Sequence, residues 1–495
     1  MDIKSLKDKI LQLAIQGKLV PQNENDEPAS ILLEKIKEEK ERLIKDKLIK
    51  KEKPLPEISE ETLIELPNGW KWCRFSDICN FKIGKTPKRA DTRYWNDGEI
   101  PWVSISDLID GREINNTKER ITYLADKEVF KGNISKKGTL IMSFKLSIGK
   151  VSILAMDAYH NEAIISIKPY IDYNEILKMY LFKVLPILDL VSDTKNAVKG
   201  STLNSESIRN ILVPLPPLEE QKRIVDKIEE LFDLVDNLDN NKQDLLENIN
   251  NTRNKVLQLA IQGKLVEQCE DDEPAKVLLE KIKAEKEQLI KGKVIKKENS
   301  LPEISEEEKV FDLPKGWEWC RLGNIGFTNI GLTYKPADIS EEGIPVLRST
   351  NIQNGKIDLN DLVCVKVDIP ENKMCKIGDI LICARNGSKR LVGKSAIINK
   401  DGMSFGAFMA IYRSKYNEYI NRFINSELFR SQLGDANTVT INQITQSMLR
   451  NIVCPLPPLD EQKRIVAKVD LIMDYLDKLQ QEIESQEIIL EDILQ

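Results

Sequence analysis

Two sets of basic, hydroxyl and amide side chains have the types and spacing needed to hydrogen-bond phosphates and the edges of nucleobases. Arginine can donate two parallel hydrogen bonds to guanine, asparagine can donate one hydrogen bond to adenine and accept another from it, and lysine, serine and threonine suit phosphate oxygens. Any one such residue is typical of a solvated surface, so the prediction of a nucleic-acid contact depends on their clustering. The first set is Lys85, Thr86, Lys88, Arg89, Arg93, Lys145, Ser147 and Lys150, and the second is Arg348, Thr350, Asn351, Arg385, Asn386, Ser388, Lys389, Arg390 and Lys394.

The aromatic residues Tyr94, Trp95 and Trp102 follow Arg93, the fifth residue of the first set. Aromatic rings near basic residues can stack on bases, or they can pack a loop against a core. We expect Tyr94, Trp95 and Trp102 to pack.

Catalytic motifs are missing. Residues 83–86 read I-G-K-T, but the first glycine of a phosphate loop would fall on Cys79. The chain has no G-x-G-x-x-G, G-x-S-x-G or H-E-x-x-H pattern. Its one histidine, His160, is predicted to be a satisfied structural residue, and its eight cysteines form no C-x-x-C pair. We therefore expect buried thiols, no metal site and no catalytic site.

The composition indicates a folded protein of two or more domains. The chain has 495 residues, of which 41% are hydrophobic and 31% charged. No apolar run is long enough to span a membrane, and the N-terminal residues do not resemble a signal peptide. We expect a cytoplasmic protein without membrane contact.

The charge is distributed unevenly. The net charge is −6, yet residues 65–213 and 312–454 each carry +4, which leaves −14 for the remainder. Binding to a polyanion responds to the charge near the contact and not to the total. Two basic modules on an acidic frame are therefore compatible with two nucleic-acid contacts.

An internal repeat organises the chain. Residues 9–61 return as residues 255–307 with 41 identities in 53 positions, and residues 215–228 return as 456–469 with 11 in 14. Between these constant blocks lie two variable segments, each opening with L-P-x-G-W-x-W-C-R. The repeat places Gln495 opposite Asn254 and Lys9 opposite Lys255, so the second half stops where the first begins. This predicts a closed arrangement with a pseudo-two-fold axis and neighbouring termini.

Constant blocks after the two P-L-P-P-L sequences predict long helices. Apolar residues recur every three or four positions from Ile224 through Val235, Leu238 and Leu245 to Leu259, and again from Ile465 through Leu479 to Ile493. A pair of prolines precedes each run, and acidic residues stand at its start, as is typical of helix N-termini. About 45 residues would make a rod of roughly 65 Å. The helices could be ordinary bundle core, but we favour an antiparallel pair that spaces two modules.

The Glu/Lys-rich stretches at residues 26–53 and 272–299 leave two interpretations open. They could be solvated helices stabilised by charge pairs four residues apart, or they could be partner surfaces.

The variable segments predict short strands separated by turn residues, each set followed by an amphipathic helix. We therefore predict two α+β domains. The strands are expected at residues 138–144, 150–156, 163–169, 378–384, 392–398 and 408–414, and the helices at 174–191 and 419–433.

The block order, the doubled P-L-P-P-L-x-E-Q-K-R-I-V element and the sequences at residues 84–104 and 379–388 resemble the specificity subunit of type I restriction–modification enzymes. The resemblance covers essentially the whole chain. It implies a non-catalytic subunit with two target-recognition domains. Each domain would read one half of a bipartite double-stranded DNA site, while a long antiparallel two-helix coiled coil sets the gap in a pseudo-two-fold circular organisation.

The resemblance also implies partners and cofactors. Two DNA methyltransferase subunits would bind the helices and carry S-adenosylmethionine, and restriction/translocase subunits would use ATP and magnesium, so this chain would bind no cofactor. The corresponding domain boundaries are 1–64 (N-terminal helical region), 65–213 (first target-recognition domain), 214–311 (central helical spacer), 312–454 (second target-recognition domain) and 455–495 (C-terminal helix).

Two other classes of function fit the sequence less well. A fused nuclease or methylase would need a carboxylate cluster or a cofactor loop, which the sequence lacks. A coiled-coil scaffold with two protein-binding heads fits the helices, but it does not explain basic heads on an acidic frame.

Overall fold

A computed structural model describes residues 3–55, 58, 64–145, 148–188, 204–293, 295, 299–433 and 443–485. The described chain forms two compact units, the first up to Asn241 and the second from Lys242 to Ser485. The predicted mixed α+β class is confirmed. The predicted closeness of the termini concerns residues outside the described part.

Thirteen α-helical segments lie in the described residues. They are α1 Ile3–Ile15, α2 Ala29–Lys45, α3 Phe75–Ile78, α4 Tyr123–Ala125, α5 Ile176–Leu188, α6 Ser205–Arg209, α7 Leu218–Ile261, α8 Ala275–Lys291, α9 Leu322–Ile325, α10 Asn417–Ile424, α11 Glu427–Ser431, α12 Gln446–Asn451 and α13 Leu459–Ser485.

Twenty-one strands complete the described elements. They are β1 Lys71–Arg74, β2 Cys79–Ile83, β3 Ile100–Val103, β4 Arg112–Ile114, β5 Glu119–Ile121, β6 Leu140–Ser143, β7 Val151–Leu154, β8 Tyr159–His160, β9 Ile164–Pro169, β10 Leu212–Leu215, β11 Glu318–Arg321, β12 Phe327–Ile330, β13 Ile339–Leu347, β14 Ile352–Gln353, β15 Lys356–Ile357, β16 Val363–Val365, β17 Ile380–Cys383, β18 Ser395–Ile397, β19 Ser404–Phe405, β20 Met409–Arg413 and β21 Val453–Leu456.

The two units share one strand arrangement, except that β4 adds a fifth strand to the larger sheet of the first unit. The larger sheet has the order β2-β9-β6-β7-β4 in the first unit and β12-β20-β17-β18 in the second. A smaller sheet has the order β5-β3-β8 or β16-β13-β19, and in both its last pair is parallel. β6 and β17 are buried along their whole length, as expected for apolar runs in the middle of a sheet. The variable segments thus keep the same fold although their residues differ.

All six predicted strands are confirmed, with slightly shorter limits. The helix predicted from residue 174 begins at Ile176, because Asn174 and Glu175 have positive φ values of 51° and 64°. The helix predicted over 419–433 is divided into α10 and α11, because the Ser426 side chain accepts a hydrogen bond from the Phe429 amide and caps a new helix.

Antiparallel helix pairing occurs within each unit. In the first unit the Lys7 ammonium contacts Asp236 at 2.6 Å. The repeat equates these positions with Arg253 and Asp477, which form an ion pair of the same length in the second unit. The 44 residues of α7 make a rod of about 66 Å. The predicted long helix is confirmed.

Part of the predicted apolar seam is exposed. Ile224, Val235 and Ile249 are buried, whereas Leu238 and Leu245 are 42% and 50% exposed. Lys7 already lies beside Asp236, and the described part of α1 begins only four residues earlier. Because α1 runs antiparallel to α7, its described part begins too late in the chain to cover Leu245.

Glu220, from the repeated E-Q-K-R-I-V element, joins the start of α7 to two other segments. Its side chain accepts hydrogen bonds from the Trp70 indole at 3.0 Å and from the Gln22 amide at 2.8 Å. Glu220 is 1% exposed, and burial raises the pKa of its carboxyl group. One turn later, Arg223 forms a 2.6 Å ion pair with Asp26.

The same junction is built in the second unit. Glu461 accepts hydrogen bonds from Trp317 at 2.9 Å and from Gln268 at 2.7 Å, and Arg464 pairs with Asp272 at 2.6 Å. Burial again raises the pKa of the Glu461 carboxyl group. The repeated motif is therefore a structural junction between the helices and the sheet-containing part of each unit.

The Glu/Lys-rich helices α2 and α8 each pack one face against their own unit. Leu32 and Ile36 of α2 belong to the first core, and the Lys40 ammonium donates a 2.6 Å hydrogen bond to the Ser76 carbonyl. Lys286 of α8 donates to the Gly323 carbonyl at 2.9 Å. On the solvated face of α2, Arg42 pairs with Glu39 and Asp46, so charge pairs accompany the packing. A partner surface on the outer faces stays a prediction.

Most of the cysteines are buried thiols, as the sequence predicts. All eight are free thiols and six are buried, whereas Cys269 is exposed and Cys364 is half-buried.

Candidate nucleic-acid interface

In the first unit, three loops meet at one end of the larger sheet. After β2, the Gly84 and Lys85 amides donate to the carbonyls of Ile164 and His160 at 3.0 and 2.9 Å. After β6, the Phe144 amide donates to the Ala163 carbonyl at 3.0 Å. These bonds bring the loops after β2, β6 and β8 together, and most of the first predicted set lies on them.

The second unit repeats this arrangement. The Gly331 amide donates to Met409 at 3.0 Å, and the Leu332 amide donates to Phe405 at 2.7 Å. The Ala384 amide donates to the Phe408 carbonyl at 2.9 Å. Loops equivalent to those of the first unit therefore converge here with different side chains.

The glycine of the I-G-K-T sequence has a packing function. A Cβ atom at Gly84 would lie 2.1 Å from the His160 carbonyl oxygen, and one at Gly331 would lie 2.1 Å from the Gly406 carbonyl oxygen. Only glycine allows the two backbones to approach so closely. Gly84 therefore allows the loop after β2 to pack against the loop after β8. This packing explains the glycine of I-G-K-T, and no phosphate loop is needed.

His160 lies below this loop. It is 5% exposed, and burial lowers its pKa to about 4. Its Nδ1 atom has no hydrogen-bond partner among the described residues, so the expected satisfied histidine is buried but incompletely hydrogen-bonded.

Several predicted residues of the first set already contact carboxylates. The Thr86 hydroxyl donates to Glu162. The Arg89 guanidinium binds both carboxylate oxygens of Glu119, one of them at 3.0 Å. Arg93 pairs with Asp91 at 2.8 Å, and this contact lowers the pKa of the Asp91 carboxyl group.

The lysines of the first set, unlike its arginines, form no ion pair with a described carboxylate. The Lys85 ammonium donates to the Val129 carbonyl at 3.0 Å. Lys88 is exposed and forms no ion pair with a described residue. Lys145 lies 5.3 Å from the centre of the Phe144 ring, and Lys150 is half-buried. Ser147 lies outside the described residues.

The predicted packing of the aromatic residues is confirmed for both tryptophans. Trp102 is 1% exposed and its indole donates to the Lys85 carbonyl at 3.0 Å. Trp95 packs edge-on against Trp102 at 5.1 Å, and the Arg89 guanidinium lies 4.0 Å above Trp95. Tyr94 donates a hydrogen bond to Glu128 at 2.7 Å.

The second set is divided by burial. Asn351 is 1% exposed, and its amide donates to the carbonyls of Asp358 and Asp361 at 3.0 and 2.9 Å. Arg348 pairs with Asp361 at 2.9 Å, and Thr350 is exposed. These contacts give Asn351 a structural role in the loop after β13.

The loop between β17 and β18 holds the remaining residues of the second set. Arg385 and Arg390 are exposed, Lys394 is half-buried, and none of them forms an ion pair with a described residue. Asn386 donates to the Ser349 hydroxyl at 3.2 Å, which joins this loop to the one after β13. Ser388 is exposed. Lys389 lies in a 3-10 turn, and its side chain is outside the described part of the structure.

Sequence reasoning missed one large apolar residue at this end. Phe408 is 59% exposed, and the Arg385 guanidinium lies 5.3 Å from its ring centre. Phe408 falls inside the strand predicted for residues 408–414, whereas β20 begins one residue later, at Met409. It also missed Glu119 and Glu162, because neither is near its partner in sequence.

Other kinds of site find no support in the described residues. No group of three or more His, Cys, Asp or Glu side chains there is arranged to hold a metal ion. Across the same residues, every helix is too short or too polar to cross a membrane.

Comparison with known proteins identifies the family. The profile of the type I restriction modification DNA specificity domain matches residues 67–248 and 314–491. The EcoAI and EcoEI type I restriction enzyme specificity subunits of Escherichia coli are 31% and 30% identical to the chain. These alignments cover 96% and 98% of this chain, and 90% and 91% of the relatives.

A solved structure of a type I restriction–modification system supports the fold. One of its chains matches with a TM-score of 0.55 at 21% identity, covering 87% of this chain and 97% of that chain. The two profile matches coincide with the two copies of the sheet arrangement. The chain belongs to the type I restriction–modification DNA specificity family, as a specificity subunit and not a catalytic one.

Proposed function

We propose that each unit contains one target-recognition domain, which reads one half of a bipartite double-stranded DNA site. The observation that carries the proposal is the convergence of equivalent loops in both units with different side chains. Exposed lysines and arginines paired with carboxylates line the loops of the first unit, whereas Arg385 and Arg390 in the second have no carboxylate partner among the described residues. Equivalent scaffolds with different donor sets are suited to reading different half-sites.

The helices set the gap between the half-sites in this proposal. α7 runs without interruption for 44 residues, and the hydrogen bonds of Glu220 and Glu461 fix how each recognition domain joins its helix. Paired recognition elements commonly lie about 34 Å apart, one turn of DNA.

Two DNA methyltransferase subunits dock on the helices, one in each repeat. Leu234 and its repeat equivalent Tyr475 are 53% and 65% exposed. An apolar residue facing outward at the same position of both repeats is suited to binding two copies of one partner. The methyltransferases carry S-adenosylmethionine, and restriction/translocase subunits use ATP and magnesium. The chain itself binds no cofactor and acts in the cytoplasm.

Methylome sequencing of a host that expresses the chain with its methyltransferase partner tests the DNA-reading proposal. The expected result is one methylated motif with two defined halves and a gap of fixed length. An uninterrupted motif, or methylation independent of this chain, would contradict it. A scaffold with protein-binding heads predicts that the purified chain and partner do not discriminate between cognate and scrambled duplexes.

Co-purification tests the docking surface. Leu234→Asp combined with Tyr475→Asp should abolish recovery of the methyltransferase, and each single variant should leave one bound copy. The matched control is Ile377→Asp, because Ile377 is 63% exposed and lies outside the long helices and outside the Glu/Lys-rich stretches. Undiminished recovery with the double variant would place the docking surface elsewhere.

A further inference from the structure

Phe408 occupies an unusual position for a large apolar side chain. It lies in the loop between β19 and β20, where the converging loops of the second unit meet, and it is 59% exposed. Isolated exposed apolar residues are common on protein surfaces. The position of Phe408 among polar groups that could bind DNA sets it apart.

The backbone of Phe408 is held firmly. Its carbonyl accepts hydrogen bonds from the Ala384 and Arg385 amides, both at 2.9 Å. Arg385 also forms an isolated bridge with Gln443, and the Ile444 amide donates to the Ala384 carbonyl at 2.6 Å. The ring is therefore presented from a fixed point and is not carried by a free loop.

The neighbours of the ring are suited to a nucleic acid. The Arg385 guanidinium lies 5.3 Å from the ring centre and has no carboxylate partner among the described residues. Asn386, the next residue, is held by Ser349. An aromatic ring beside an unpaired arginine combines an apolar contact with a donor for base edges or phosphates.

The equivalent position of the first unit differs. There the Ala163 carbonyl accepts the hydrogen bond from Phe144, as the Phe408 carbonyl does from Ala384. Ala163 is buried at 7% exposure. The shared fold therefore does not require an exposed aromatic residue, and Phe408 belongs to what distinguishes the second recognition domain from the first.

We propose that Phe408 is a specificity-determining residue that contacts the 5-methyl group of a thymine in the half-site read by the second unit. This inference rests on the proposed function of that unit. The thymine methyl group is the apolar feature of the major groove, and phenylalanine is one of the side chains that contact it. At the same time, the Arg385 guanidinium donates hydrogen bonds to the DNA phosphate or base next to that thymine.

Replacement of thymine by deoxyuridine removes only the methyl group. The probe is a duplex carrying the methylome-derived motif, with each thymine of the second half replaced in turn, and the protein is the full chain with its methyltransferase partner. One replacement should weaken wild-type binding about fourfold, as expected for one buried methyl group. Phe408→Ala should bind the thymine duplex about fourfold more weakly and show no further loss with deoxyuridine.

Ile377→Ala is the matched control. Ile377 is 63% exposed in the same unit but precedes β17, whereas Phe408 bonds to residues that follow this strand. Its variant should keep wild-type affinity and sensitivity to deoxyuridine. Discrimination against a scrambled first half-site by Phe408→Ala shows that this variant is folded.

Two results would overturn the inference. One is wild-type binding that is indifferent to deoxyuridine at every position of the second half. The other is a Phe408→Ala variant that keeps the wild-type sensitivity. If the wild type does not discriminate at all between cognate and scrambled duplexes, the proposed function is wrong. Failure of the proposed function and failure of the inference on Phe408 are therefore distinguishable.

Discussion

The Trp70 indole donates a 3.0 Å hydrogen bond to the Glu220 carboxylate, joining the start of the first variable segment to the start of the longest helix. The two residues are 150 positions apart in the chain, and both are at least 95% buried. The pair fixes how the recognition domain is attached to α7. Its repeat equivalent, between Trp317 and Glu461, is 2.9 Å long.

Glu220→Ala should destabilise the first unit, because the buried Trp70 indole loses its acceptor. An unsatisfied buried donor costs about 1–3 kcal/mol in unfolding free energy. Urea unfolding followed by tryptophan fluorescence measures the change. Glu219→Ala is the control, since Glu219 is the exposed neighbour on the same helical turn. Equal midpoints for the two variants would contradict the structural role of Glu220.

The same carboxylates predict a pH dependence. Burial raises the pKa of Glu220 and Glu461 in the folded chain above the ordinary value of 4.5. The folded state therefore binds more protons than the unfolded state just above pH 4.5, and the contribution of these groups to stability falls as pH rises through the raised pKa. In the double variant Glu220→Gln and Glu461→Gln, the unfolding free energy should fall less steeply as pH rises. Urea unfolding at several pH values measures this. Parallel profiles for variant and wild type would refute this expectation.

Gly331→Ala should displace the loop after β12, because the new Cβ would lie 2.1 and 2.3 Å from two carbonyl oxygens. Overpacking of this kind costs about 1–3 kcal/mol. We expect weaker binding to the second half-site and unchanged reading of the first. Ile377→Ala is the control, since Ile377 is 63% exposed in the same unit and precedes β17, away from the converging loops. The prediction fails if quantitative binding assays give both variants the wild-type affinity.

Alanine at Arg385, Lys389 and Arg390 tests the electrostatic contact of the second unit. A guanine contact should cost about 1–3 kcal/mol and relax one base pair, whereas each lost phosphate contact should lower the salt slope by about one unit. Alanine at Arg89 and Arg93 should lower the slope less, because carboxylates already neutralise both residues. Binding titrations at several salt concentrations measure these slopes. An unchanged affinity and slope for the triple variant would move the contact elsewhere in the second unit.

Local patterns were sufficient to predict the elements but not the pairing of side chains. The proline pairs before α7 and α13 and the apolar strand runs are local signals, and the predicted elements follow them. Arg89 meets Glu119 because its guanidinium lies 4.8 Å from the Trp102 ring of β3, and Trp102 pairs with Glu119 of β5 in the smaller sheet. Asn351 has the chemistry of a base reader, yet the loop after β13 folds around it and uses its amide internally. Which donors remain available therefore depends on contacts between segments that are distant in sequence.

The central claim is that each recognition domain reads its own half-site, and a domain replacement tests it most directly. Residues 312–454 are replaced by the corresponding segment of another specificity subunit, and the methylome is sequenced in a host that supplies the same methyltransferase. The account predicts a methylated motif in which one half changes while the other half and the gap length stay the same. A motif changed in both halves, or unchanged in both, would contradict independent reading by the two domains.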